Sequence, residues 1–346
     1  MAVDECNSDS VSADLLAQAR AGDAAAFDSL VAPYRRELLV HCYRILGSIQ
    51  DAEDAMQETL LSAWQGLGGF EGRSSMRTWL YRVATNRSLD ALRAANRQPA
   101  ITTTVGDVTP PRPTRVSEVA WLQPFPDMLL DDVADGVPGP EAVATTREAI
   151  SLAFITALQL LPPRQRAVLI LRDVLDYRAR EVAYILGITE ESVTSALKRA
   201  RATLRDNPDR AGDADPAPSP GSEDERRVVD QFVAAFSAHD VPAIVALLTA
   251  DAWIKMPPMP FEYQGREAAA EFFTAIAPPH GRNLRIVRTR TNGQPAFAAY
   301  AEDRAAGVWR AVGIIVLMLR GQLISEATRF DPAVLPSLGL PRILSE

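Results

Sequence analysis

Cysteine, histidine and lysine are all scarce in this chain of 346 residues, at two, three and two copies. Two cysteines, Cys6 and Cys42, cannot build a disulfide framework, which fits a reducing cytoplasm. Three histidines without a Cys or His cluster leave no structural zinc site, so no metal is expected. No run of about 18 apolar residues occurs, so no membrane-spanning helix and no membrane partner are expected. The first ten residues, MAVDECNSDS, are acidic and polar and lack the apolar centre of a signal peptide. Positive charge is in the minority, with 36 Lys and Arg against 44 Asp and Glu and a net charge of −8. That excludes a uniformly basic nucleic-acid coat, although local patches, not the total, decide such binding.

What the chain does have is charge sorted by helix. DAEDAMQETLLSAWQ, beginning at Asp51, carries Asp51, Glu53, Asp54 and Glu58 and no base. Ser48, three residues before Asp51, has the spacing of an N-terminal cap. Ala52, Ala55, Met56, Leu60, Ala63 and Trp64 recur at helical spacing and form a buried stripe. Asp54, Gln57, Glu58 and Leu61 then share the opposite face. A solvated acidic face would account for the charges, whereas an exposed Leu among acids suits a docking surface. After a Gly-rich break comes FEGRSSMRTWLYRVATNRSLDALR, with a start at Ser74 or Ser75. Arg82, Asn86 and Arg93 fall on one face of this helix, where arginines can meet phosphates and an Asn a base edge. An acidic helix joined to a basic one points to two partners, one protein and one nucleic acid.

The rest of the chain divides by composition. Residues 12–97 read as a compact all-helical domain. Residues 98–140 form a Pro-rich acidic linker with eight prolines from Pro99 to Pro140, too many for a regular helix. Within it WLQPFPDMLLDD is too apolar for free linker, so Trp121, Phe125, Met128 and Leu129 are expected to dock. Residues 141–206 return to helices and contain a helix-turn-helix. Its first helix runs over Arg178–Leu186 and Gly187 makes the turn. Thr189 caps the second helix, whose acids Glu190 and Glu191 suit the dipole. Val193, Leu197, Ala200 and Leu204 face inward; Thr194, Ser195, Lys198, Arg199, Arg201 and Arg205 face outward. A recognition helix needs small polar readers near its N-terminus and bases further on. A second linker, 207–222, leads to 223–346. There three helices and strand-like runs with breaks at Asn292-Gly293 and Gly321-Gln322 indicate an α+β domain with hairpins.

The segment from about Ala26 to Arg97 resembles region 2 of sigma-70-family RNA polymerase sigma factors, most closely the extracytoplasmic-function (ECF) group. The resemblance implies that Asp51, Glu53, Asp54, Gln57, Glu58 and Leu61 bind core polymerase at the β′ clamp helices, with the β subunit also a partner. It implies that a loop at Phe70–Ser75 captures flipped bases of the promoter −10 element. Phe70, Arg73, Ser74, Arg77, Trp79, Arg82, Asn86 and Arg93 would contact that melted strand. The helix-turn-helix resembles sigma region 4, which binds the −35 element. Arg178, Glu191, Ser192, Thr194, Ser195, Lys198, Arg199, Arg201 and Arg205 are the implied contacts. Thr194 and Ala196 stand where many members carry bases. The linker is similar to that of the sigma factor G type, which carries an extra domain, and in ECF factors it threads toward the RNA exit channel. WIKMPPMPFEYQG, NGQPAFAAY and TRFDPAVLPSLGLP resemble the SnoaL-like, nuclear-transport-factor-2-like cone. Trp253, Met256, Phe261, Tyr300 and Trp309 are candidates to line its pocket, and His280, Glu326 and Asp331 to act in it. No acid–base pair stands at a telling spacing, so no catalytic residue and no cofactor are expected.

The reading is therefore a multidomain sigma factor with two all-α sigma domains and an α+β regulatory cone. Promoter DNA, core polymerase and the chain's own C-terminal domain, docking on the sigma core through Phe330, Leu335, Leu338 and Leu340, would be its partners, with a small-molecule ligand open in the cone. The alternatives are an enzyme built on the cone and a polymerase-independent helix-turn-helix regulator.

Overall fold

The computed structural model describes residues 13–94, 110–117, 122–130, 149–206, 216–276 and 283–345. Trp121 and His280 lie outside the described residues. The first domain comprises α1 (13–20), α2 (Ala24–Val31), α3 (Arg35–Leu46), α4 (Ile49–Gly66) and α5 (Met76–Ala94). Each start has a local cause: Asp23 Oδ1 accepts from Ala25 and Ala26 amides, and Ser48 Oγ from Asp51. Gly47 ends α3 at a φ of 74°, a conformation that other residues adopt at a cost. Leu38, Tyr43, Ile45, Ile49, Leu80 and Tyr81 are fully buried between α3, α4 and α5.

The second helical domain comprises α6 (Leu152–Gln159), α7 (Pro163–Leu169), α8 (Ala179–Leu186) and α9 (Glu190–Arg205). α7 is begun by Pro163 and followed by a wider π-helical turn over Ile170–Val174. Proline at the first helical position sets that start.

The C-terminal domain packs α10 (Glu223–Ala238), α11 (Val241–Ala246) and α12 (Gly265–Ile276) on a sheet. Its strands are β2 (Leu248–Met256), β3 (Met259–Gln264), β4 (Leu284–Thr291), β5 (Gln294–Asp303), β6 (Val308–Arg320) and β7 (Leu323–Phe330), with β8 (Ile343–Leu344) beside β6. The sheet is mixed rather than purely antiparallel, because β2 runs parallel to β7. α11 stops at Ala246, and Leu248 already pairs with Ile324. β3, hidden behind two prolines, was not expected as a separate strand.

The largest departure concerns the linker. Residues Arg115–Val116 form β1, an edge strand antiparallel to β3. Thr114 N–H donates to Glu262 O at 3.0 Å and Ser117 N–H to Pro260 O at 2.7 Å. Prolines 110, 111 and 113 lie just before the strand, where no ladder donor is needed. Part of the expected free linker thus belongs to the C-terminal sheet. The expected docking of the second apolar stretch holds for Phe125, fully buried, and Leu129, half-buried; Met128 stays 63% exposed.

The sheet separates two cores. On its helix side Val229, Phe232, Ile254, Met256, Phe272 and Phe297 cluster with α10–α12. On the other side Ala296, Ala298, Tyr300, Ile314, Val316 and Phe330 join a cluster that runs through Leu122 and Phe125 into both helical domains. The tail residues Leu335 and Leu338 are buried in that same cluster and Leu340 packs against it, so the expected docking face is a shared core. Burying a side chain such as Phe125 there contributes roughly 1.5–3 kcal/mol.

Candidate polymerase and promoter interfaces

α4 turns Ala52, Ala55, Met56 and Ala63 inward and leaves Glu53, Asp54, Gln57, Glu58 and Leu61 exposed, with Asp51 half-buried. Among the described residues no ion pair reaches any of these acids, and Leu61 stands 50% exposed between them. An apolar side chain framed by uncompensated carboxylates suits a basic protein surface better than water alone.

The loop before α5 and the helix itself hold the −10 candidates unequally. Phe70 is buried, its ring 5.2 Å from that of Trp79, so both are walls rather than free platforms. Arg73 is exposed and pairs with Glu71 at 2.8 Å. Ser75, not Ser74, caps α5, accepting from Thr78 N–H at 3.1 Å. Arg77 is not free: it forks onto Glu37 at 3.0 and 2.7 Å and lies over the rings of Tyr81 and Tyr177. Burial works against its charge, but Glu37 outweighs that and holds the guanidinium above the ordinary arginine range. Asn86 is half-buried, and Arg93 is tied to Asp90 at 2.6 Å. Arg82 is exposed on the outer face and carries the ring of Tyr184 at 4.7 Å.

On α9 Thr189 Oγ1 accepts from Ser192 N–H at 3.2 Å, fixing the N-terminus. Glu191 lies below the usual carboxylate range because its own backbone amide and the Thr189 hydroxyl bond to it. Ser192, Thr194, Ser195, Lys198, Arg199 and Arg205 are all exposed, and Arg178 is exposed ahead of α8. Thr194 turns its hydroxyl back to Glu190 O at 3.0 Å. Arg201 forks onto Asp173 at 2.9 and 2.7 Å, so its guanidinium is already committed. Ala196 is buried, so its position cannot face DNA in this chain.

Several residues that join the domains gave no warning in the sequence. The β4–β5 turn carries Asn292 at a φ of 56° and 0% exposed. Its Nδ2 donates to Tyr43 Oη at 2.8 Å and to Ile150 O at 2.7 Å, and its Oδ1 accepts from Phe125 N–H at 2.7 Å. One amide thereby joins α3, the linker, the entry to α6 and the C-terminal sheet. Around it, Tyr43 Oη donates to Gln123 O and Gly293 N–H to Asp127 Oδ1, both at 2.8 Å. Leu152 N–H donates to Gln294 Oε1 at 3.0 Å. Two buried arginines seal the same seam: Arg44 Nε donates to Ala149 O at 3.0 Å and Arg166 reaches Ile45 O. Burial pushes both guanidinium pKa values down to about 10. The Asn-Gly pair signalled a turn, but nothing local signals what the turn touches.

The described residues expected to line one pocket divide between the two cores. Met256 and Phe261 belong to the helix-side core, whereas Tyr300 and Trp309 belong to the opposite one. Trp253 sits 5.6 Å from both Arg115 and Lys255. Glu326 is paired with Lys255 at 2.7 Å and accepts from Thr328, and Asp331 caps the turn at Ala333.

Three family descriptions match: sigma-70 region 2 over residues 30–98, sigma-70 region 4 over 151–204 and a SnoaL-like domain over 229–327. The ECF RNA polymerase sigma factor SigG of Mycobacterium tuberculosis is 42% identical over 329 residues, covering 94% of this chain and 86% of SigG. ECF sigma factor SigW of Bacillus subtilis is 30% identical over 54% of this chain and 91% of its own. The crystal structure of Mycobacterium tuberculosis SigJ shares the fold, with a TM-score of 0.56 and 20% identity over 92% of this chain and all of SigJ. No described helix is long and apolar enough to cross a membrane. Two sigma regions in order, a cone after them and a relative alike over nearly the whole length leave one conclusion: the chain belongs to the ECF family of RNA polymerase sigma factors.

Proposed function

We propose that this sigma factor is clamped by its own C-terminal domain into a closed arrangement that must open before a promoter is melted. The observation that carries the reading is the Asn292 amide, bonded at once to region 2, the linker and region 4. Working in the cytoplasm, the acidic face of α4 (Asp54, Gln57, Glu58 and Leu61) docks on the β′ clamp helices, and the rest of the sigma core reaches the β subunit. The loop before α5, with Arg82 and Asn86, takes the melted −10 strand. Lys198, Arg199 and the N-terminus of α9 meet the −35 element. The linker, once off the β3 edge, is free to enter polymerase. The cone acts as a clamp and performs no chemistry; the commitment of Glu326 to Lys255 and of Asp331 to a cap supports this.

Multi-round transcription with core polymerase tests the clamp. Asn292→Ala is expected to raise transcript yield at limiting sigma over the wild-type chain. Equal or lower yield with core binding intact refutes it. Exchanging Asp54 and Glu58 for Lys tests the docking face, since truncating or reversing buried interfacial charges costs about 2–5 kcal/mol. Loss of co-purification with core polymerase is expected; unchanged binding at moderate salt removes α4 from the interface.

A further inference from the structure

We propose that Tyr184 is a built-in stand-in for a nucleobase. In the closed chain its ring occupies the face of Arg82 on which a base of the melted strand stacks. The inference rests on the assignment of α5 as the strand-binding helix and says what keeps that helix empty.

α8 packs against α5. Val182 and Ile185 are the residues of α8 that go fully into the core. Tyr184, between them, points elsewhere and remains 39% exposed, so packing inside its own domain does not require a ring there. Instead it lies against a cation of another domain, 4.7 Å from the Arg82 guanidinium carbon to the ring centroid. Arginine planes and aromatic rings are the two surfaces on which proteins stack unpaired bases. A tyrosine ring on an arginine therefore satisfies the same electrostatics as a pyrimidine would.

Two neighbours show how region 4 lies over α5. Ser74, in the loop expected to hold flipped bases, interacts with the Tyr184 hydroxyl, as does Arg82. Arg77, five residues before Arg82 on α5, also meets region 4, with the Tyr177 ring 5.7 Å away. Region 4 thus lays two tyrosines on arginines of α5, Tyr177 on Arg77 and Tyr184 on Arg82. Strand and Tyr184 cannot share one face of Arg82, so capture and closure exclude each other.

The experiment measures binding of the full chain to a fluorescein-labelled, mixed-sequence single-stranded DNA oligonucleotide by anisotropy. A partly exposed cation–π contact is worth enough that its removal is read as about threefold to tenfold tighter DNA binding for Tyr184→Ala. Tyr184→Leu, which keeps apolar bulk without a π face, is expected to gain the same, and Tyr184→Phe to stay near wild type. Adding Arg82→Ala to Tyr184→Leu is expected to cancel the gain. If both Tyr184→Ala and Tyr184→Leu bind no more tightly than wild type while Arg82→Ala weakens binding, the mimic is wrong and the strand face stands. If Arg82→Ala changes nothing in either background, the strand face itself is misassigned and the proposal falls with it.

Discussion

Asn292→Asp is the sharpest perturbation of the closed arrangement, because it changes one NH2 to one oxygen and little else. The left-handed turn at a φ of 56° tolerates an aspartate as it does an asparagine. The new oxygen faces two acceptors, Ile150 O at 2.7 Å and Tyr43 Oη at 2.8 Å, the latter already donating to Gln123 O. Two buried acceptors lose their donor, at about 1–3 kcal/mol each, and an ionised carboxylate adds its own desolvation. A total of roughly 3–5 kcal/mol against closure, or a shift of a hundredfold or more, follows at neutral pH. The pH dependence has a definite sign. Burial raises the pKa of the introduced carboxyl in the closed state above its open-state value of about 3.9. Closure is therefore strongest below about pH 4, where the protonated acid donates one bond, and is lost as pH rises through the raised value. Protease cleavage within 207–222 and small-angle scattering, each from about pH 4.5 to 8, read the closed fraction. A variant as compact as wild type at about pH 8, or one whose opening does not depend on pH, would refute the role given to this amide.

Other expectations are simpler to test. Asn86→Ala should reduce permanganate reactivity of the melted −10 region while leaving closed-complex footprints unchanged. Lys198→Ala and Arg199→Ala should weaken promoter binding uniformly and each lower the salt slope by about one unit, whereas Arg201→Ala, already engaged by Asp173, should lower it less. Lys255→Met leaves Glu326 buried and uncompensated and should cost about 3–5 kcal/mol by chemical denaturation, with recovery when Glu326→Leu is added. His41 is fully buried and its pKa is lowered from 6.5 to about 3, chiefly by burial and then by Arg44. A base depressed in the folded state contributes stability above pH 6.5 that is lost as pH falls toward 3, so acid melts should flatten in His41→Gln.

Local chemistry made much of this molecule readable. Ser48 and Thr189 cap helices whose first turns carry acids, and the acidic face of α4 is exposed as its spacing requires. The Asn292-Gly293 hairpin was likewise visible, since a primed turn selects those two residues. What stayed hidden is set by partners distant in the chain. Nothing in Arg115–Val116 alternates enough to announce a strand, because its place is decided by the open edge of β3. Arg77 and Arg201 look like phosphate contacts until Glu37 and Asp173 are seen beside them. Trp253, Met256 and Tyr300 read as one lining because alternation names two faces without saying which core each one meets.

The β1–β3 pairing also sets an order of events at the ribosome. Thr114 waits for Glu262, 148 residues later, and Phe125 for Asn292, 167 residues later. Contacts of such separation form after local ones, and chains fold from the N-terminus as they emerge. Regions 2 and 4 are therefore synthesised and folded before the strand partner and the turn that hold them exist. Every newly made copy passes through an interval in which α5 and α9 are complete and unlatched. The length of that interval is fixed by translation of the last third of the chain, and in it the contacts of Asn292 and of the β3 edge are absent.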